Sequence, residues 1–198
     1  MNEWHLDWAR LGPELIPILP WVVTLGIFLS NWGGSNTAEL RQPPWARLGQ
    51  RVLLAASITL VRFHLPWPAA LDVKIWPDAP WQADLGVAGA YVGCLLASWA
   101  RLTIAGNYST DIVTSQGHRL VTKGPYGLMR HPIYAGLLVA IASSALTPAT
   151  PAKLIGLGFA TIFVLWRAFT EDGLLERRFG AEFDAYRNRV RALVPHIL

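Results

Sequence analysis

The stretch ADLGVAGAYVGCLLASWARLTI, residues 83–104, carries only two charges, Asp84 near its start and Arg101 near its end. An α-helix needs about 20 mostly apolar residues to cross roughly 30 Å of hydrocarbon, so this stretch has the length and character of a membrane span. Runs of the same order lie on both sides of it: about Leu15 to Trp32, Val52 to Trp67, Pro132 to Ala149 and Lys153 to Phe169. The run from Val52 is less clean, with Arg62 and His64 near its end. The last two runs are separated by Thr147-Pro148-Ala149-Thr150-Pro151, which reads as a tight helical hairpin. Composition agrees: 53% of the 198 residues are apolar or aromatic and 15% are charged, whereas soluble domains carry roughly 25% charged residues. Ten tryptophans suit a bilayer interface, where the indole body and its N–H are both satisfied. The expected fold is all-α, a polytopic membrane helix bundle of about five transmembrane helices in one domain spanning residues 1–198. Disorder, collagen and coiled coil are excluded.

Five spans make the loops alternate sides, and the basic residues divide accordingly. Arg41, Arg47, Arg51, Arg119, Lys123, Arg130, Arg167, Arg177, Arg178, Arg187, Arg189 and Arg191 fall on one side, against Arg10, Lys74 and Lys153 on the other. The positive-inside rule then places the N-terminus outside and the tail in the cytoplasm. The acidic residues Glu3, Asp7 and Glu14 do not suit a secretory signal, so the first span is expected to be retained. Gly89, Gly93 and Ala97 form a row of small residues that permits close helix contact, expected within the bundle; the chain is expected to be a monomer or a weak homo-oligomer. A net charge of +4 alone could suggest a nucleic-acid partner, but the topology already explains it. The single cysteine, Cys94, and five scattered histidines give no disulfide framework and no metal site.

Polar chemistry gathers in two cytoplasmic segments, Gly106 to Arg130 with the start of the fourth span, and the tail from Arg167. Pro132 follows Arg130-His131, and proline is favoured in a first helical turn. A helix start offers unpaired N–H groups to a carboxylate or phosphate, so Arg130 and His131 beside it suit an anionic group. Tyr134 and Gly136 then put a ring and a gap on the following turn. The same three residues equally suit a bare membrane boundary, as a snorkelling arginine, an interfacial histidine and a helix-starting proline. Arg167 and Glu171 are four apart and share a face on a continuing helix, which alone reads as a plain ion pair. Leu175, Phe179, Phe183, Tyr186 and Val190 recur at helical spacing, giving an amphipathic C-terminal helix with a break at Gly180. That tail either lies on the membrane or folds back over the loop.

Taken in order, these residues resemble the isoprenylcysteine carboxyl methyltransferase family and, more broadly, the related membrane phospholipid methyltransferases. The resemblance runs from Arg101 to Pro195: Gly117-His118-x-Leu120-Val121-Thr122-x-Gly124-Pro125-Tyr126, Arg130-His131-Pro132-x-Tyr134-x-Gly136, Arg167 with Glu171, Asp172 and Leu175, and Phe179-Gly180-x-x-Phe183-x-x-Tyr186. It implies S-adenosylmethionine as methyl donor, contacted by His118, Arg119, Leu120, Val121, Tyr126, His131, Pro132, Ile133, Tyr134 and Glu171. Arg167 and Arg130 are the candidate catalytic residues, Arg167 facing the acceptor's carboxylate. Residues 101–198 form the cofactor-binding half and 1–100 the variable, substrate-side helices. The implied reaction is carboxyl O-methylation of an isoprenylcysteine-type, lipid-like or prenylated acceptor; phospholipid N-methylation is the alternative. An NADPH-dependent reductase of the sterol-reductase type shares the Gly-Pro-Tyr and Arg-His-Pro region, but its Arg-x-x-His-Asp-Glu element is replaced here by Arg167-Ala168-Phe169-Thr170-Glu171. A non-catalytic membrane scaffold is the third class. The family usually has two glutamates after the arginine, whereas this chain has Glu171-Asp172-Gly173, so Asp172 is expected only to support its neighbours.

Overall fold

The computed structural model describes residues 16–30, 38–41, 43–62, 68–77, 79–104, 113–115, 120–147 and 149–195. Its helices are α1 (Leu19–Ser30), α2 (Pro44–Arg62), the single turn α3 (Ala69–Asp72), α4 (Pro80–Ile104), α5 (Pro132–Leu146), α6 (Pro151–Phe179) and α7 (Ala181–Arg189). The helical expectation is corrected in one detail, an antiparallel ribbon of β1 (Ala38–Arg41) and β2 (Val113–Ser115). Each of α2, α4, α5 and α6 begins with proline, whose missing N–H and preset φ suit the first turn. Thr150 completes the start of α6 by accepting from the Lys153 N–H at 3.3 Å.

Small residues decide which helices touch. A Cβ on Gly136 of α5 would lie 2.5 Å from the Gly93 carbonyl oxygen and 2.7 Å from the Ala97 nitrogen of α4. The two backbones therefore cross in contact, and the small-residue row works inside the bundle as expected. Likewise Gly156 of α6 faces Ser57, Leu60 and Val61 of α2, and Gly49 of α2 faces the Trp166 ring of α6. α1 packs on α4, where Thr24 and Ser98 share a hydroxyl hydrogen bond of 3.1 Å near buried Cys94. The chain thus folds as two helix pairs, α4 with α5 and α2 with α6, joined by the hairpin between α5 and α6. Met129, Ala135, Phe163, Val164 and Leu193 form the core where the hairpin meets the tail.

Outward faces are apolar. Leu85, Val92, Leu95, Trp99 and Leu102 project from α4, and Leu154, Ile155, Ile162 and Phe169 from α6. A belt of large apolar side chains on the outside suits helices solvated by lipid. Among the described residues, Trp81–Ile104 and Pro151–Phe179 are long and apolar enough to cross a membrane, and Pro132–Leu146 is a shorter apolar helix.

Three boundaries differ from expectation. α2 starts at Pro44, so Arg47 and Arg51 sit on a helix and not in a loop; Ala46 and Gln50 are buried there, which is what extends it. α5 stops at Leu146, and α6 runs past the end of the expected span at Phe169 to Phe179, up to the break expected at Gly180. Beyond Phe169 the charges leave the apolar layer, but Asp172 and Leu174 remain buried and packing carries the helix onward. Gly180, at φ 51°, turns the chain into α7, where Phe183 and Tyr186 are buried. The tail therefore folds back over the loop.

Candidate functional site

Two segments meet beneath α7: the chain entering α5 and the last three turns of α6. His131 precedes proline and adopts φ −122° and ψ 59°, outside helical geometry as a pre-proline residue must be. The returning tail fixes this entry, since the Arg130 and His131 N–H groups donate to the Arg191 and Ala192 carbonyls at 2.8 and 2.9 Å. Pro132 has no N–H, so Ile133 and Tyr134 carry the first-turn donors of α5. Tyr186 of α7 donates its O–H to the Tyr126 carbonyl at 2.6 Å. Burial pushes the Tyr186 phenol well above its ordinary range, with Arg130 opposing and Asp172 adding to the shift, so the group stays a proton donor.

The side chains form two linked clusters. In the first, the Arg130 guanidinium donates Nη2 to Asp172 Oδ2 at 2.8 Å and Nε to Oδ1 at 3.4 Å, while Nη1 reaches the Val190 carbonyl. His131 Nε2 lies 2.9 Å from Asp172 Oδ1. These side chains are nearly closed off, 9% exposed for Arg130 and Asp172 and 2% for His131. In the second cluster, the Tyr134 O–H donates to Glu171 Oε2 at 2.7 Å and accepts from Arg167 Nε at 3.1 Å. The Arg167 guanidinium also lies over the Tyr134 and Phe163 rings, 5.5 and 5.9 Å from their centroids. The stacked rings of His131 and Tyr134, 5.6 Å apart, join the clusters, and His131 Nδ1 is 3.9 Å from Glu171 Oε2. Glu171 is the open member, its side chain 30% exposed.

The fold thus brings together Tyr126, His131, Pro132, Ile133, Tyr134, Arg167 and Glu171. Tyr126 and Ile133 pack with Ala100 against half-buried Val121, and Leu120 is half-buried beside them in sequence. His118 and Arg119 lie outside the described residues. Arg130 is turned toward Asp172 and the tail, away from the open cluster. Two participants had not been singled out as site residues. Asp172 is the hub of the closed cluster, and Gln50 of α2, 1% exposed, accepts from Arg167 Nη1 at 3.5 Å. The Glu171-Asp172 departure was the only signal for the first; the second lay in a region read as a loop. Among the described residues no three His, Cys, Asp or Glu side chains gather to hold a metal ion.

A family model described as phospholipid methyltransferase matches residues 81–182, from α4 to the start of α7 and across both clusters. The chain belongs to the phospholipid methyltransferase family. Among the curated proteins it resembles, protein-S-isoprenylcysteine O-methyltransferase B of Arabidopsis thaliana is 30% identical over 125 residues, covering 59% of this chain and 61% of the relative. Protein-S-isoprenylcysteine O-methyltransferase of Dictyostelium discoideum is 29% identical over 151 residues, covering 73% and 60%. The nickel-cobalt-cadmium resistance protein NccN of Alcaligenes xylosoxydans xylosoxydans is 39% identical over 149 residues, covering 74% of this chain and 62% of that protein. The chain thus spans about three fifths of the length of these curated relatives.

Proposed function

We propose that this chain is a membrane enzyme that transfers a methyl group from S-adenosylmethionine to the carboxylate of an isoprenylcysteine-type, lipid-like acceptor. The observation that carries this reading is the open cluster, in which Tyr134 links a cationic Arg167 to a partly exposed Glu171 next to the apolar belt. The residues fit the donor by their chemistry. Glu171 offers an anionic acceptor to its amino group, the first-turn N–H groups of α5 suit its carboxylate, and the His131 and Tyr134 rings give it a planar wall. His118, Arg119, Leu120, Val121, Tyr126, Pro132 and Ile133 complete the donor pocket in this reading. When bound, the donor supplies an electrophilic methyl group on a sulfonium.

The remaining work belongs to the chain. Arg167 binds the acceptor's carboxylate and aims one oxygen; a carboxylate attacks as it stands and needs no general base. Holding the reactants in line and excluding water therefore provides most of the acceleration. Arg130 serves through Asp172 as a positioning residue. A guanidinium at this point favours an acid over the protonated amine of a phosphatidylethanolamine, which supports O-methylation over N-methylation. The wider reading is a single domain of five spans, with the N-terminus outside, the site and tail at the cytoplasmic face, and residues 1–100 on the substrate side. The twelve basic residues support it, as does the contact of α2 with α6.

Purified protein in nanodiscs is expected to bind S-adenosylmethionine saturably and to form a base-labile methyl ester on a prenylated cysteine acid. Folded protein that binds no donor overturns the reading; turnover of phosphatidylethanolamine without the acid replaces it by N-methylation.

A further inference from the structure

We propose that Gln50 of α2 is a positioning residue that holds the Arg167 guanidinium for the acceptor, and that acceptor selectivity enters the site through it. The proposal rests on the acid-binding role of Arg167 given above. Gln50 lies in the half of the chain outside the family match at 81–182, yet its amide reaches the centre of the site. Its side chain is buried, with Oε1 3.5 Å from Arg167 Nη1, on the edge of the guanidinium away from the Nε that donates to Tyr134. Among the described residues, Nε and Nη1 of this guanidinium both have partners and rings lie on its face, which restrains its plane.

The close approach of α2 and α6 brings the two side chains together. Gly49 presses on the Trp166 ring, where an added Cβ would sit 2.9 Å from the ring edge, and Trp45 packs on the same indole at 6.2 Å between centroids. Gln50 and Arg167 are the next residues on their helices and are carried together by that contact. The chemistry of glutamine matters as much as its place. A neutral amide accepts from the guanidinium without adding a negative charge beside it, whereas glutamate of the same shape would be an internal rival to an anionic acceptor.

Two variants test this in nanodiscs, with the wild type as the first arm. For Gln50→Glu, the expected result is KM for the prenylated cysteine acid raised by ~10-fold or more, as expected for like charge beside a bound anion, with donor Kd unchanged. For Gln50→Leu, which removes the acceptor oxygen, a rise of ~3- to 10-fold in the same KM is expected from loss of one hydrogen bond, again with donor Kd unchanged. Folded variants with wild-type KM overturn the proposal. So does a parallel change in KM and donor Kd, or failure of both variants to fold, which mark Gln50 as structural. A wild-type arm that binds the donor but neither binds nor methylates the acid defeats the acceptor reading itself, and the assignment of Gln50 with it.

Discussion

Asp172 and Glu171 are neighbours in the chain with the same charge, and the fold gives them opposite surroundings. One helical residue turns the side chain by about 100°, which sends Asp172 into the body of the protein and leaves Glu171 on the face it shares with Arg167. Asp172 is clasped by Arg130 and His131, each nearly closed from solvent. Glu171 accepts from the Tyr134 phenol, with the His131 ring farther off at 3.9 Å, and stays 30% exposed. Charge in the closed cluster is consumed in holding α5, α6 and the tail together; the open cluster keeps Glu171 partly exposed, and in the proposed reading its charges meet the ligands. The same split separates the two arginines, since Arg130 is spent on the protein's own carboxylate and carbonyls, whereas Arg167 lies over aromatic rings beside the open site.

The contrast breaks most readily at Asp172. Replacing it by alanine leaves the Arg130 guanidinium buried without its counter-charge, a change expected to cost about 3–5 kcal/mol; the thermal midpoint in detergent should fall markedly and donor binding should be lost with it. A variant that melts like the wild type would erase the distinction between the clusters. Glu171→Ala should show the complementary pattern, with little change in the midpoint and donor Kd weakened by ~10-fold or more, the scale of a charge-assisted hydrogen bond. Arg167→Ala should instead raise acceptor KM while sparing donor Kd. Calorimetric titration beside steady-state kinetics checks this pair, and equal effects on donor affinity would merge their roles. Tyr134→Phe removes the link between Arg167 and Glu171 and should change both parameters by only ~3- to 10-fold, in keeping with about 1 kcal/mol per neutral hydrogen bond. Smallest of all, Glu176→Ala breaks a pair with Arg187 at 3.8 Å in which both partners are half-exposed, and should shift unfolding by less than about 0.5 kcal/mol.

Much of this arrangement is legible without coordinates. Pro132 marks the start of α5 because its constraint is local, Gly180 marks the end of α6 for the same reason, and the spacing of Arg167 and Glu171 is a property of any helix. The small residues of α4 announce a close crossing, and only their partner, Gly136, has to be found in space. Hydropathy misjudges α2 and the end of α6 because it registers contact with lipid and not helicity. Arg47, Gln50 and Arg51 look like loop residues, and it is the packing of Gly49 and Gln50 on α6 that reveals a helix there. The inward turn of Asp172 depends on the phase of α6 against α5 and the tail, and no window around Glu171-Asp172 contains that information. His118 and Arg119 lie beyond the described residues and stay with the proposal.

The hydrogen bonds from Arg130 and His131 to Arg191 and Ala192 also impose an order on biosynthesis. The Val190 carbonyl that Arg130 grips lies 60 residues farther along the chain, so the entrance to α5 leaves the ribosome long before the segment that secures it. Asp172, 42 residues beyond Arg130, emerges earlier, so its pairing with the guanidinium and imidazole can precede the contacts of the tail. A chain cut before Val190 is therefore expected to keep the pair of Arg130 with Asp172 but to lose the tail contacts that fix the entrance to α5.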